Sequence, residues 1–135
     1  MTATRGGGCL CGALRYRVEG DPVAATLCHC PSCRRAGGGP TVAWAVFDRE
    51  RVVWSAGEPE EYESSPGKFW NFCARCGSLV GYRRTSRPEH YDITTATLDN
   101  PDAFPPTVEI WTGEKIGWEV LNEAIPHKLR SSLNE

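Results

Sequence analysis

Lys68-Phe69-Trp70-Asn71-Phe72-Cys73-Ala74-Arg75-Cys76-Gly77-Ser78-Leu79-Val80-Gly81-Tyr82-Arg83 joins two apolar, aromatic arms through a cysteine pair. Lys68 to Phe72 and Ser78 to Arg83 read as the two strands of a hairpin, with Cys73 and Cys76 at its tip. Two intervening residues let both sulfurs point inward from one tight turn. Gly77 can adopt the left-handed conformation that turns the following backbone N–H groups toward the sulfurs, which spreads thiolate charge. The hairpin therefore predicts half of a metal site, and its missing ligands must come from elsewhere in the chain.

The remaining cysteines fall into two further groups. Cys9-Leu10-Cys11-Gly12 has one intervening residue, so an extended backbone puts both sulfurs on one side. Cys28-His29-Cys30-Pro31-Ser32-Cys33 offers three thiols and an imidazole. Two partitions satisfy this spacing. In one, Cys9, Cys11, Cys73 and Cys76 form a closed four-thiolate site, and Cys28, Cys30 and Cys33 form a three-thiolate site with a free coordination position. In the other, Cys30 and Cys33 join Cys73 and Cys76, leaving an odd trio. His29 lies between two ligands and points away from them in an extended backbone, so it is expected to hydrogen-bond or face solvent rather than ligate. Arg34 and Arg35 follow directly, and their charge would favour thiolate forms.

Composition narrows the setting. The 135 residues predict one domain spanning 1–135, with 40% apolar and 24% charged residues. Gly 14 and Pro 10 favour turns and short strands over long helices. A net charge of −2 provides no broad basic field, so no nucleic-acid partner is expected. No apolar run approaches a membrane span, and Met1 to Gly8 lacks the apolar core of a secretory signal. A cytoplasmic, reducing location is the expectation, where clustered cysteines read as metal ligands or redox thiols before disulfides. Oligomerisation is not derivable.

Alternating residues predict a strand over Ala13 to Glu19, and further strands over Val23 to Leu27, Thr41 to Phe47, Val52 to Trp54, Tyr91 to Thr97 and Thr107 to Thr112. Pro31 to Ala36 suits one helical turn, ended by Gly37-Gly38-Gly39-Pro40. A short helix is expected within Trp118 to His127, and the polar tail after Lys128 is expected to fray. Trp44, Trp54, Phe69, Trp70 and Trp111 are expected to pack between sheets. The class is mainly β.

These residues resemble a known family, the glutathione-dependent formaldehyde-activating enzymes, or CENP-V/GFA-like domains. The resemblance rests on Gly7-Gly8-Cys9-Leu10-Cys11-Gly12 with Arg15-Tyr16, on Cys28-His29-Cys30-Pro31-Ser32-Cys33-Arg34-Arg35 with Gly37, and on Phe72-Cys73-Ala74-Arg75-Cys76-Gly77-Ser78-Leu79. Leu98-Asp99-Asn100-Pro101 and the Trp118 to Pro126 stretch extend it over nearly the whole chain. It implies an Mss4-like fold of folded β-sheets with short helical turns, stapled by zinc. It also implies the four-plus-three partition: a structural zinc on Cys9, Cys11, Cys73 and Cys76, and a catalytic zinc on Cys28, Cys30 and Cys33. The implied activity is that of a carbon–sulfur lyase joining glutathione, as cosubstrate, to formaldehyde or a related small aldehyde. Arg34, Arg35 and Lys68 are candidates to meet the glutathione carboxylates. The alternatives are a non-catalytic zinc-binding module of the same fold, or an enzyme of the same family with a different thiol.

Overall fold

The computed structural model describes residues 3–130. Two antiparallel strands open the chain, β1 (Thr4–Gly8) and β2 (Arg15–Glu19), and β5 (Val52–Ala56) pairs with β2 to complete a three-stranded sheet in the order β1-β2-β5. A second, seven-stranded sheet contains β3 (Ala24–Cys28), β4 (Val42–Asp48), β6 (Glu60–Ser65), β7 (Lys68–Phe72), β8 (Leu79–Arg84), β9 (His90–Thr94) and β10 (Val108–Ile110). Its order is β10-β3-β4-β9-β8-β7-β6, antiparallel throughout except for the parallel β10–β3 edge. One helix, α1 (Pro31–Gly37), follows β3.

The alternation of β4 explains how the large sheet serves two purposes. Ala45 and Phe47 point one way and join Tyr16, Val18, Tyr91 and Ile93 in the core shared with the small sheet. Trp44 points the other way, with Cys28, Cys33, Trp70 and Ile110, into a second apolar cluster. Period-two geometry thus makes one face a core and the other the floor of a cavity. Gly81 of β8 sits where any Cβ would collide with the Tyr91 ring, and that close approach lets the Tyr91 hydroxyl donate to Asn71 Oδ1 at 2.7 Å.

Besides Thr95–Thr97, a 3-10 turn where the strand from Tyr91 was expected to continue, three stretches depart from expectation. β1 contains Gly6-Gly7-Gly8, poor strand formers by propensity, but a Cβ at Gly7 would strike the Tyr16 hydroxyl. The strand exists because Tyr16 needs that space to reach Thr97 Oγ1 at 2.8 Å. β6 is polar and exposed throughout, so it carries no apolar alternation to read. The region 118–127 holds turns rather than a helix. Its backbone is claimed from outside: Asn122 N–H donates to the Glu109 carboxylate, Glu109 N–H donates to Pro126 O at 3.0 Å, and Lys128 N–H to Glu109 O at 2.8 Å. The end of the polar tail, 131–135, lies outside the described residues.

Candidate metal centres

All seven cysteines are free thiols and they gather into two groups, Cys9 with Cys11, Cys73 and Cys76, and Cys28 with Cys30 and Cys33. Within each group the sulfurs lie within 4.8 Å of one another. The alternative pairing of Cys30 and Cys33 with Cys73 and Cys76 does not occur.

The four-cysteine group is built from two similar turns. In the first, Cys9 N–H donates to Leu14 O at 3.1 Å, Gly12 N–H to Cys9 O at 3.2 Å, and Leu14 N–H to Cys9 Sγ at 3.2 Å. In the second, Cys73 N–H donates to Ser78 O at 3.0 Å, Gly77 N–H to Cys73 O at 2.8 Å, and Cys76 N–H to Cys73 Sγ at 3.5 Å. Gly12 and Gly77 close the turns with φ of 83° and 79°, a region costly for other residues. Ser78 ties the turns together: its Oγ accepts from Leu10 N–H at 3.0 Å and lies 3.2 Å from Cys76 Sγ. That hydroxyl, with backbone donors, lowers the Cys76 pKa to about 5. A tetrahedral ion with metal–sulfur bonds of about 2.3 Å holds its sulfurs about 3.8 Å apart. Cys9 and Cys11 sulfurs are 3.6 Å apart, and Cys11 and Cys73 sulfurs 3.8 Å apart, so the group fits such an ion.

The three-cysteine group sits at the join of β3 and α1. His29 N–H donates to Ile110 O at 3.0 Å, carrying the β3 conformation past Cys28. Cys30 is the N-cap of α1, its sulfur accepting from Cys33 N–H at 3.3 Å, and Pro31 begins the helix, where its missing N–H costs nothing. Gly38, with φ of 69°, ends it by donating to Arg34 O at 2.7 Å. Trp44 Nε1–H donates to Cys33 Sγ at 3.4 Å. Hydrogen bonds from Cys28 and then Cys33 lower the Cys30 pKa to about 3. Cys30 in turn pushes Cys28 up to about 12, and Cys28 with Cys30 pushes Cys33 up. Three crowded thiols of this kind ionise together only beside a cation, which is the chemistry of a metal site.

His29 is fully buried and points away from the sulfurs, as an extended backbone requires. Its Nε2 lies 2.5 Å from Glu109 Oε1, and Glu109 is also fully buried. Glu109 Oε2 takes the Asn122 N–H and lies 3.8 Å from His127 Nε2. The Cys28–Cys30 loop is thereby tied to the C-terminal segment. Glu109 carries no signal in the sequence, since it pairs with His29 across 80 positions.

The sulfurs of the trio open on a cavity of about 410 Å3. Trp44, Trp70, Tyr82 and Trp111 line it, with Trp70 and Tyr82 rings 4.6 Å apart between centroids. Only Trp54 of the five tryptophan and phenylalanine residues expected between the sheets packs against the intersheet core. Phe69 instead lies under the Arg83 guanidinium, 4.0 Å from its ring centroid. Trp111 has a left-handed backbone, φ 57°, held by its N–H donation to Arg130 O at 3.1 Å. Arg34 and Arg35 are absent from the cavity lining, Arg34 being half-buried and Arg35 exposed on α1. Lys68 does line the cavity, beside Arg84 and Arg87, which the sequence did not single out.

A family model described as glutathione-dependent formaldehyde-activating enzyme matches residues 4–114. The chain belongs to that family. It is 31% identical over 122 residues to a Halomonas elongata protein named "Putative glutathione-dependent formaldehyde-activating enzyme", covering 83% of this chain and 77% of the relative. A crystal structure of a Rhodobacter sphaeroides protein shares the fold, with a TM-score of 0.61 at 23% identity, covering 90% of this chain and 98% of the other. The mainly β, Mss4-like class expected for this family matches the two sheets and single short helix described above. Among the described residues, no helix is long and apolar enough to cross a membrane.

Proposed function

We propose that this chain is a zinc-dependent carbon–sulfur lyase that joins glutathione to formaldehyde or a related small aldehyde, giving an S-hydroxymethyl adduct. One observation carries the reading: three mutually close sulfurs line the same cavity as an aromatic wall large enough for a small-molecule substrate. Cys9, Cys11, Cys73 and Cys76 would hold a structural zinc, with four sulfurs leaving no position for substrate. Cys28, Cys30 and Cys33 would hold a second zinc, supplying positive charge and one open position so that an incoming thiol ionises near neutral pH.

The chain's own residues prepare that position. The Cys33 backbone N–H and the Trp44 indole N–H donate to two of the three sulfurs and moderate their charge. Without such donors, three thiolates would leave little electrophilicity for a fourth ligand. Trp44, Trp70 and Tyr82 displace water from the approach to the trio, favouring addition of sulfur to the carbonyl over hydration. The sulfur lone pair forms the new S–C bond, the carbonyl π pair moves to oxygen, and that oxygen takes a proton from water. The proton lost by the thiol balances the one gained.

The test is exchange NMR with 13C-labelled formaldehyde and glutathione, because adduct formation also proceeds unaided. Zinc-loaded protein should accelerate exchange between free and adduct carbon, and Cys30→Ser should abolish the acceleration while the fold persists. Unchanged exchange with fully loaded protein would contradict the proposal and leave a non-catalytic zinc module.

A further inference from the structure

The cavity beside the trio has a second chemical character. The chain carries a net charge of −2, yet Lys68, Arg84 and Arg87 line this one cavity against two carboxylates, Asp92 and Glu114. Cross-strand pairing places them there. Lys68 opposes Arg84, and Tyr82 opposes Asp92, so β7, β8 and β9 present a polar row on the cavity face.

Arg15 and Arg83 are each paired in full, whereas Arg34 Nε, outside the cavity, is buried without a partner. Arg15 grips Asp99 through two bonds, 3.0 and 2.5 Å, and Arg83 grips Glu61 through two, 2.6 and 2.8 Å. The cavity arginines differ. Arg87 approaches Asp92 only to 3.7 Å, with side chains 15% and 12% exposed. Arg87 Nε and Nη1 and Arg84 Nε are buried with no hydrogen-bond partner. Burying guanidinium N–H groups unpaired is costly, and a bidentate anion is the group that matches them best. Burial disfavours the Arg87 charge, with only partial compensation from Asp92.

Arg84 lies on β8, three strands across the sheet from Cys28 on β3, and both line the same cavity. Tyr82 lines the same cavity, packed against the cluster that holds Cys28, Cys33, Trp44 and Trp70.

We infer that Arg84 and Arg87, with Lys68 beside them, form an anion-receiving subsite that selects thiols bearing a carboxylate remote from the sulfur. The inference rests on the function proposed above. It assigns carboxylate recognition to the β7–β8 wall rather than to Arg34 and Arg35 on α1. A peptidic thiol offers a sulfur to the trio and a carboxylate to this wall; 2-mercaptoethanol offers only the sulfur.

The experiment uses the full chain with cobalt in place of zinc, whose visible bands report a thiol joining the trio. Three probes are titrated: glutathione, its dimethyl ester, and 2-mercaptoethanol. The subsite predicts that glutathione binds about 10- to 100-fold more tightly than its diester, the range of a charge-assisted bidentate contact. Arg84→Met and Arg87→Met should weaken glutathione by a similar factor and leave the diester within about twofold. The cobalt spectrum and melting temperature without thiol check that each variant is folded, and the wild-type comparison of glutathione with its diester needs no variant at all. Equal binding of glutathione and its diester would overturn the subsite alone. A spectrum indifferent to all three thiols would overturn the proposed function, and the subsite with it.

Discussion

The two cysteine groups reach similar sulfur spacings by opposite routes. Cys11 and Cys73 meet across 62 positions, whereas Cys28, Cys30 and Cys33 come from one strand-to-helix join. The long-range group lies near the surface, with Cys11 exposed and Leu10 beside it 90% exposed. The local group is the more sheltered, with Cys28 and Cys33 about 4% and 5% exposed and walled by Trp44 and Trp70. Burial does not separate the groups cleanly, since Cys73 is itself buried. The roles proposed above rest on loop closure and ligand number: four sulfurs from two distant turns would restrict the chain and close an ion, while three from one segment would restrict little and leave a position free.

Substitutions separate these roles. The largest effect is expected from Cys73→Ser, which opens the long-range staple. Structural zinc contributes folding free energy directly, so the loss should be about 5 kcal/mol or more, comparable with the net stability of a domain. Calorimetry should show cooperative unfolding lost or shifted far down. A Cys73→Ser protein that melts like wild type would break the comparison.

Glu109→Ala comes next, since it strips His29 Nε2 and the Asn122 N–H of their buried acceptor. A loss of about 3 kcal/mol is expected in denaturant unfolding. Glu109→Gln, which keeps an acceptor of the same shape, should recover part of it. Metal release from the trio should also quicken in Glu109→Ala, as the loop carrying Cys28 and Cys30 loses its tie.

Cys30→Ser removes a sulfur but keeps a helix cap, since serine is a favoured N-cap, and it breaks no long-range staple. With the cap kept, its cost to the metal-free fold should stay within about 1 kcal/mol. Metal content should fall from two ions to one, and turnover should vanish. Loss of both ions would mean the groups are not independent.

The smallest effect supplies the background. Arg83, then Asn71, holds the Glu61 pKa down to about 2. Because the folded pKa lies below the unfolded one, this pair stabilises above the ordinary carboxylate range, and the contribution is lost as pH falls toward 2. Solvent screening limits it to about 0.5–1 kcal/mol at neutral pH, so Glu61→Gln should cost no more, and nothing near pH 2. Metal content should be unchanged.

Much of this comparison is legible from local pattern. Cysteine spacing, the glycines after each pair, the alternation of β2 and the β-branched, aromatic run of β4 depend on neighbours in the chain, and they appear where expected. What is not legible depends on distant partners. β1 is a strand because Tyr16 fills the space its glycines leave, and residues 118–127 are not helical because Glu109 claims their backbone. Trp44 and Trp70 line a cavity because β4 and β7 turn that face away from the small sheet. Arg84 and Arg87 join that cavity only through strand order, which no local motif records.

Metal counting combined with X-ray absorption at the zinc edge tests the central division most directly. Wild type should bind two zinc ions per chain and average between three and four sulfurs per ion; Cys30→Ser should retain one ion with four sulfur neighbours at about 2.3 Å. A single ion in wild type, or loss of the four-sulfur signal in Cys30→Ser, would contradict the account.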